Sequence, residues 1–290
     1  MRFIYADNAA TTQLSDTALE AMLPYLREEY GNASTLYKLG RSAHNAIASA
    51  RRTFADGIQA IPAEIFFTSG GTESDNWAIK GTAHRLAAQG KRHIVTDNIE
   101  HHAVLNSTKS LEKEGFDVTY IMADENGVVR AEDVKAAIRP DTVLVSVMFA
   151  NNELGTIQPV AEIGRICREA GVLFHCDAVQ AAGILPIDVQ AMNIDLLSMS
   201  AHKFHGAKGV GVLYARRGCV PEAYMDGGEQ EYRHRAGTEN VAGIVGAAAA
   251  FAEALGERGH KAARLAQMRD EIQAGPVSYT HLTLPTKRIV

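Results

Sequence analysis

The chain has 290 residues, 46% hydrophobic and 22% charged, with a formal net charge of −5. That length accommodates one large α/β domain and part of a second. The negative balance offers no general attraction to nucleic acid or to an anionic membrane, and no apolar run is long enough to span a bilayer.

Asp7 follows the N-terminus too closely for a secretory signal peptide. The first strand falls at 64–69, and its apolar run ends in Gly70-Gly71-Thr72-Glu73. Glycines allow close backbone approach, and the helix that follows, 72–88, presents free N–H groups to a phosphate. Thr72 and Asp75 also fit a capping box, so the motif has a purely structural reading as well. A strand at 93–96 leads to Glu100-His101-His102, where an imidazole can stack on a planar group, move a proton or simply face solvent.

A strand at 118–122 and a helix at 131–138 precede the strand 144–149. That strand runs into Asn151-Asn152-Glu153, a source of amide donors or of turn chemistry. The helix Val160–Ala170 is closed by Gly171, whose freedom at positive φ suits a helix end. The next strand, 172–176, delivers Asp177, either a helix cap or a buried carboxylate at a sheet edge. Strand 196–199 delivers Ser200-Ala201-His202-Lys203-Phe204-His205-Gly206, and Gly211–Ala215 is the last strand. Alternating strands and helices, with several strands apolar throughout, predict a mostly parallel sheet covered by helices on both faces.

A lysine and a carboxylate at the carboxyl ends of two such strands match what a pyridine cofactor requires. The amine forms an imine, and the carboxylate keeps the ring nitrogen protonated. Beyond the sheet, Arg233-His234-Arg235-Ala236-Gly237-Thr238-Glu239-Asn240 is a basic loop with a second phosphate-friendly Gly-Thr step. It leads into an Ala-rich helix over 239–275, which the small residues suit to close packing. The segment 277–290 continues no pattern and reads as non-native sequence.

The three cysteines, Cys167, Cys176 and Cys219, form no even framework and no C-x-x-C pair. That argues against disulfides and zinc and suits a reducing cytoplasm.

Eight ordered segments together resemble the cysteine desulfurases of the class V aminotransferase group. They are Tyr5-Ala6-Asp7-Asn8-Ala9-Ala10-Thr11-Thr12, Gly31-Asn32-Ala33-Ser34, Thr68-Ser69-Gly70-Gly71-Thr72-Glu73-Ser74 and Glu100-His101-His102-Ala103-Val104. The others are Asn151-Asn152-Glu153-Leu154-Gly155, Asp177-Ala178-Val179-Gln180, Ser200-Ala201-His202-Lys203-Phe204 and Arg235-Ala236-Gly237-Thr238-Glu239-Asn240. The resemblance implies a fold type I, pyridoxal-phosphate-dependent enzyme that takes sulfur from L-cysteine, leaves alanine, and serves iron–sulfur assembly. It implies that Lys203 holds the cofactor as a Schiff base and shuttles a proton at Cα. Asp177 would pair with the ring nitrogen, His101 would stack on the ring, and Asn152 and Gln180 would bond the ring oxygen. Gly71, Thr72, Ser200 and His202 would hold the phosphate, and Thr238 would reach the phosphate in a partner subunit, which implies a homodimer. Asn8 would line the substrate entrance.

The implied domain plan is an entrance segment at 1–15, a cofactor domain at 16–250 and a helix at 251–276 leading to a small domain largely missing here. None of the three cysteines matches the family's nucleophile, and the chain reads as truncated. Truncation would also expose apolar surface on the last helix and reduce solubility. Another class V enzyme, an aminotransferase or a selenocysteine lyase, and a non-catalytic module remain the alternatives.

Overall fold

The computed structural model describes residues 4–274. The proposed non-native stretch 277–290 therefore lies outside the described residues. Helices α1 (Asp16–Arg27) and α2 (Lys38–Ile58) precede strand β1 (Ile65–Thr68). Next come α3 (Gly71–Asn76), a π-helical turn at Trp77–Gly81 and α4 (Thr82–Ala87), then β2 (His93–Asp97), α5 (His102–Lys113) and β3 (Asp117–Ile121). The chain continues through α6 (Ala131–Ala137), β4 (Thr142–Ser146), α7 (Val160–Ala170), β5 (Leu173–Asp177) and β6 (Leu196–Ser200). A 3₁₀ turn at Ala201–Lys203, strand β7 (Gly211–Ala215) and α8 (Val241–Ala274) complete it.

The seven strands form one sheet in the order β1-β7-β6-β5-β4-β2-β3. Only β7 runs antiparallel, pairing with β1 on one side and β6 on the other. The mostly parallel sheet expected from the sequence is therefore present, and β1 runs in the same direction as the parallel strands despite its reversed neighbour.

Strand alternation sorts the core into two layers. Ile65, Phe67, Leu197, Met199, Val212 and Tyr214 face the layer that holds α1, α2, α6, α7 and α8. Phe66, Leu196 and Leu213 face the other layer, with Trp77, Val104 and Leu111 of the π turn and α5. Within the first layer α2 is tied to α8 by Phe54 and Phe251, whose rings stack with centroids 4.9 Å apart. Such a pair contributes roughly 0.5–1.5 kcal/mol beyond its buried area.

Two expectations need correction. The helix read at 72–88 is interrupted by the π turn, where the indole N–H of Trp77 donates to the carbonyl of Glu222 at 2.8 Å. The strand read at 144–149 pairs in register only to Ser146, although Val147 and Phe149 still donate to the carbonyls of His175 and Asp177. The helix closure at Gly171 is as read, with φ 66°. Toward its end α8 leaves Leu265, Met268 and Ile272 exposed.

Candidate active site

The carboxyl ends of β1, β2, β4, β5 and β6 open onto one cavity of about 610 Å³, where open α/β sheets bind ligands. The N-terminal segment contributes Asp7, Ala9 and Ala10 to its wall.

Asp177 ends β5, buried, and its Oδ1 accepts the N–H of Val179 at 2.8 Å. Both sequence readings thus hold together, since the carboxylate caps the next turn and still lines the cavity. Burial pushes its pKa up, opposed by the Val179 hydrogen bond and by the nearby His101 and Lys203.

Lys203 leaves the 3₁₀ turn after β6 and donates from Nζ to the carbonyls of Ala9 and Ala10. Burial lowers its pKa, and the charge of Asp177 is the main opposing influence.

His101 is the N-cap of α5, and its Nδ1 accepts the N–H of Ala103 at 3.1 Å. That bond leaves the proton of a neutral ring on Nε2 and fixes the ring's orientation on the cavity wall.

Gly71 opens α3 because nothing larger fits, as a Cβ there would lie 2.6 Å from Cγ2 of Val179. The capping box read for Thr72 and Asp75 does not form. The N-cap is Gly70, without a side-chain cap, and Asp75 turns inward to 1% exposure. Glu73 is the residue that reaches back, its Oε2 accepting the Ser69 N–H at 3.2 Å, and Arg235 anchors it from the other side at 2.8 Å. Thr72 is left free on the cavity wall.

The turn chemistry read after β4 belongs to Asn151, whose Oδ1 accepts the N–H groups of Glu153 and Leu154, each at 2.8 Å. Asn152 lines the cavity, with its amide on Glu153 at 2.6 Å. Gln180 donates to the carbonyl of Ala9 at 3.0 Å. Ser200 and His202 also line the cavity, and Nδ1 of His202 pairs with Thr11 at 3.0 Å.

Two residues named from the sequence do not line this cavity. Thr238 is exposed and lines a separate cavity of about 210 Å³ beside Ser69 and Arg235. Asn8 does not line the main cavity, although its neighbours Asp7 and Ala9 do. Sequence reasoning missed Asp75, Met148 and Glu153 on the wall. Asp75 was hidden by its cap-like spacing and Met148 by its place in an apolar run.

The cysteines stand apart from this cavity. Cys167 is buried on α7 with its pKa pushed up to about 12 by burial, and Cys176 is buried within β5. Cys219 is half-buried near Asp195, and burial raises its pKa as well. Among the described residues no group of three or more His, Cys, Asp and Glu could hold a metal ion, and no helix is long and apolar enough to cross a membrane.

Residues 4–274 match the family model described as aminotransferase class-V. The chain belongs to the class V aminotransferase family. It is 50% identical over 289 residues to cysteine desulfurase IscS of Methanosarcina thermophila, covering 99% of this chain and 71% of that protein. It is 52% identical over 275 residues to cysteine desulfurase IscS of Anaeromyxobacter dehalogenans strain 2CP-C, covering 94% of this chain and 68% of that protein. Among solved structures, a NifS-like protein superposes with a TM-score of 0.93 at 43% identity, covering 96% of this chain and 76% of the other. A structure of SspA in complex with cysteine superposes with a TM-score of 0.83 at 43% identity, covering 86% and 72%. Class V aminotransferases and cysteine desulfurases depend on pyridoxal phosphate.

Proposed function

We propose that this class V chain is the cofactor-binding body of a cysteine desulfurase, which converts L-cysteine to L-alanine and passes the sulfur to a thiol for iron–sulfur assembly. The observation that carries this reading is the pairing of Lys203 and Asp177 on one cavity at the ends of adjacent strands, in a chain half identical to enzymes so named. The SspA structure holding cysteine supports the choice of substrate.

The residues present fit pyridoxal phosphate. Asp177 is a buried carboxylate with no side-chain donor among its hydrogen bonds, which a protonated ring nitrogen would supply. Lys203 is the amine that would form the imine. His101 offers a flat ring with a fixed orientation, and Asn152 and Gln180 offer amide donors for the ring oxygen. The close approach allowed at Gly71, with Thr72, Ser200 and His202, would receive the phosphate. When bound, the cofactor supplies an electron sink for negative charge at the substrate Cα.

Lys203 then moves the Cα proton. Its environment suits that role, because burial favours the neutral amine while Asp177 keeps it within reach of protonation. In the sulfur step an attacking thiolate forms an S–S bond as the C–S bond breaks. The carbon takes a proton, so cysteine and a thiol become alanine and a persulfide. The positions of Cys167, Cys176 and Cys219 off the cavity speak against each of them as that thiol. The sulfur would go on to an iron–sulfur scaffold or another acceptor protein.

Thr238, exposed on its own cavity, is suited to the phosphate of a partner subunit in a homodimer. The segment 1–15 would guard the entrance, with Asn8 toward the substrate, and 16–250 would form the cofactor domain. The exposed Leu265, Met268 and Ile272 support reading 251–276 as a lead into a further domain. Three thiols outside any disulfide suit a reducing cytoplasm.

The test is to add pyridoxal phosphate, L-cysteine and dithiothreitol to the purified chain. A visible absorbance from lysine-bound cofactor, with alanine and sulfide as products, is expected. A keto acid in place of alanine would point to an aminotransferase instead.

A further inference from the structure

Behind the cavity wall lies a set of buried carboxyls that the proposed chemistry does not use. Asp75 is 1% exposed, Asp97 0% and Glu100 5%. Asp75 shares the cavity wall with Asp177, and its Oδ1 has no hydrogen-bond partner. That oxygen lies 3.6 Å from Nε2 of His175, which is itself completely buried.

His175 does not supply a compensating charge. On β5 it faces the same side as Asp177, two residues on, and hydroxyls from both neighbouring strands bracket its ring. Nδ1 pairs with Oγ of Ser146 at 2.8 Å, and Nε2 pairs with Oγ of Ser198 at 3.0 Å. Full burial drives its pKa down to about 3, so it is neutral at ordinary pH.

Two carboxyls in one desolvated space do not both ionise near neutrality. Which of them keeps the proton follows from their partners. Asp177 accepts the Val179 N–H and feels the positive influence of His101 and Lys203. Asp75 has an orphaned oxygen and a neutral imidazole. Burial raises the pKa of Asp75 first and the charge on Asp177 raises it further, with the hydroxyl of Ser198 opposing both by a smaller amount. The groups that face Asp75 are Asp177 and His175 from β5, Ser198 from β6, and Glu100 from the turn after β2. Burial together with Asp97 also pushes the pKa of Glu100 up, opposed by the backbone N–H of Met148.

We propose that Asp75 is a positioning residue, which stays protonated beside Asp177 so that the pair carries a single negative charge on the carboxylate facing the ring nitrogen. The role rests on the cofactor reading above, whereas the shared charge is a property of the chain alone. A charge-matched floor would give the ring nitrogen one anionic partner on this side of the cavity.

The experiment is carbon-13 NMR of the cofactor-free protein labelled at aspartate Cγ, with Asp75 assigned through the backbone. Asp75 is expected to give a carboxylic-acid signal at pH 7. In Asp177→Asn its titration midpoint should fall by at least about one pH unit, as the neighbouring charge is removed. Pyridoxal-phosphate affinity, read by visible absorbance, should show an inflection at the Asp75 midpoint in the wild type. Asp75→Asn should lose the inflection and Asp75→Glu should keep one. An ionised Asp75 at pH 7, or a midpoint unmoved by Asp177→Asn, overturns the shared charge. An affinity inflection that survives Asp75→Asn overturns the positioning role. If no visible band forms at all, the cofactor reading fails and the role falls with it, while the NMR result still decides the shared charge.

Discussion

Nζ of Lys203 donates to the backbone carbonyl of Ala10 at 3.0 Å. The residue expected to react with the cofactor is thus docked on a segment more than 190 residues earlier in the chain. The same segment accepts Gln180, and further on Thr12 donates its N–H to the carbonyl of His202 at 2.9 Å. To react, the amine must give up two carbonyl contacts in exchange for the cofactor.

Lys203→Arg keeps the positive charge and the means to bond both carbonyls, but it cannot form an imine. The variant should fold like the wild type and show no visible band with pyridoxal phosphate. Alanine formation should fall by about 10²–10⁴-fold, the usual contribution of a positioned proton-transfer group. Steady-state alanine assays with circular dichroism as the folding control would check this.

Asp177→Asn retains an acceptor for Val179 but removes the negative charge proposed to pair with the ring nitrogen. Turnover should drop by about 10²–10³-fold, in the range seen when one preorganised electrostatic partner is lost. The effect should fall on kcat more than on KM, as a split of the two constants would reveal.

Cys219→Ser tests the sulfur step. Cys219 is the least buried of the three cysteines, yet it does not line the cavity. Sulfide release supported by dithiothreitol should be unchanged in this variant. Loss of release would make Cys219 the nucleophile.

Asp97 makes a pH prediction with a definite sign. Burial raises its pKa from 3.8 to about 7. The folded protein therefore binds more protons than the unfolded chain between about pH 4 and 7. The stability from the protonated group is complete below pH 4 and is lost as pH rises through 7. Relative to the wild type, Asp97→Asn should gain about 2–4 kcal/mol between pH 4 and pH 8. Urea unfolding at both pH values measures the difference.

Arg51 and Glu231 form a buried two-pronged ion pair at 2.8 and 2.9 Å. The pair holds a stretch in which Glu231, Tyr232 and Arg233 all have left-handed backbone, with φ of 44°, 56° and 68°. Glu231 also accepts the N–H of Phe67 on β1 at 3.0 Å, which locks that stretch to the sheet. Arg51→Met should destabilise the protein by about 3–5 kcal/mol by leaving a buried carboxylate unpaired. Denaturant unfolding near neutral pH would show it.

The strands among the described residues were legible in the sequence because most are buried, short apolar runs closed by polar or glycine residues. The site was legible for the same reason, as Asp177, Ser200 and Lys203 follow such runs directly. What did not show was anything decided across the sheet. The reversal of β7 comes from pairing, and its residues read like those of any buried strand. The π turn depends on the indole of Trp77 reaching Glu222, 145 residues away. Helix α2 has Tyr37 at its N-cap with no side-chain cap bond, so no start signal marked it. Asp75 had the spacing of a surface cap and is instead one of the most deeply buried acids.

The lacing of the N-terminal segment to the 202–205 turn also sets an order of events during synthesis. Thr11 and Thr12 find their partners at His202 and His205, and Lys203 finds Ala9, only when some 190 further residues have left the ribosome. Until then the beginning of the chain has nowhere to dock. Closure of this wall therefore comes late, after the strands from β1 to β6 exist to receive it. A protease cut or a bulky fusion near Asn8 would spare the sheet and still leave Lys203 without its resting place.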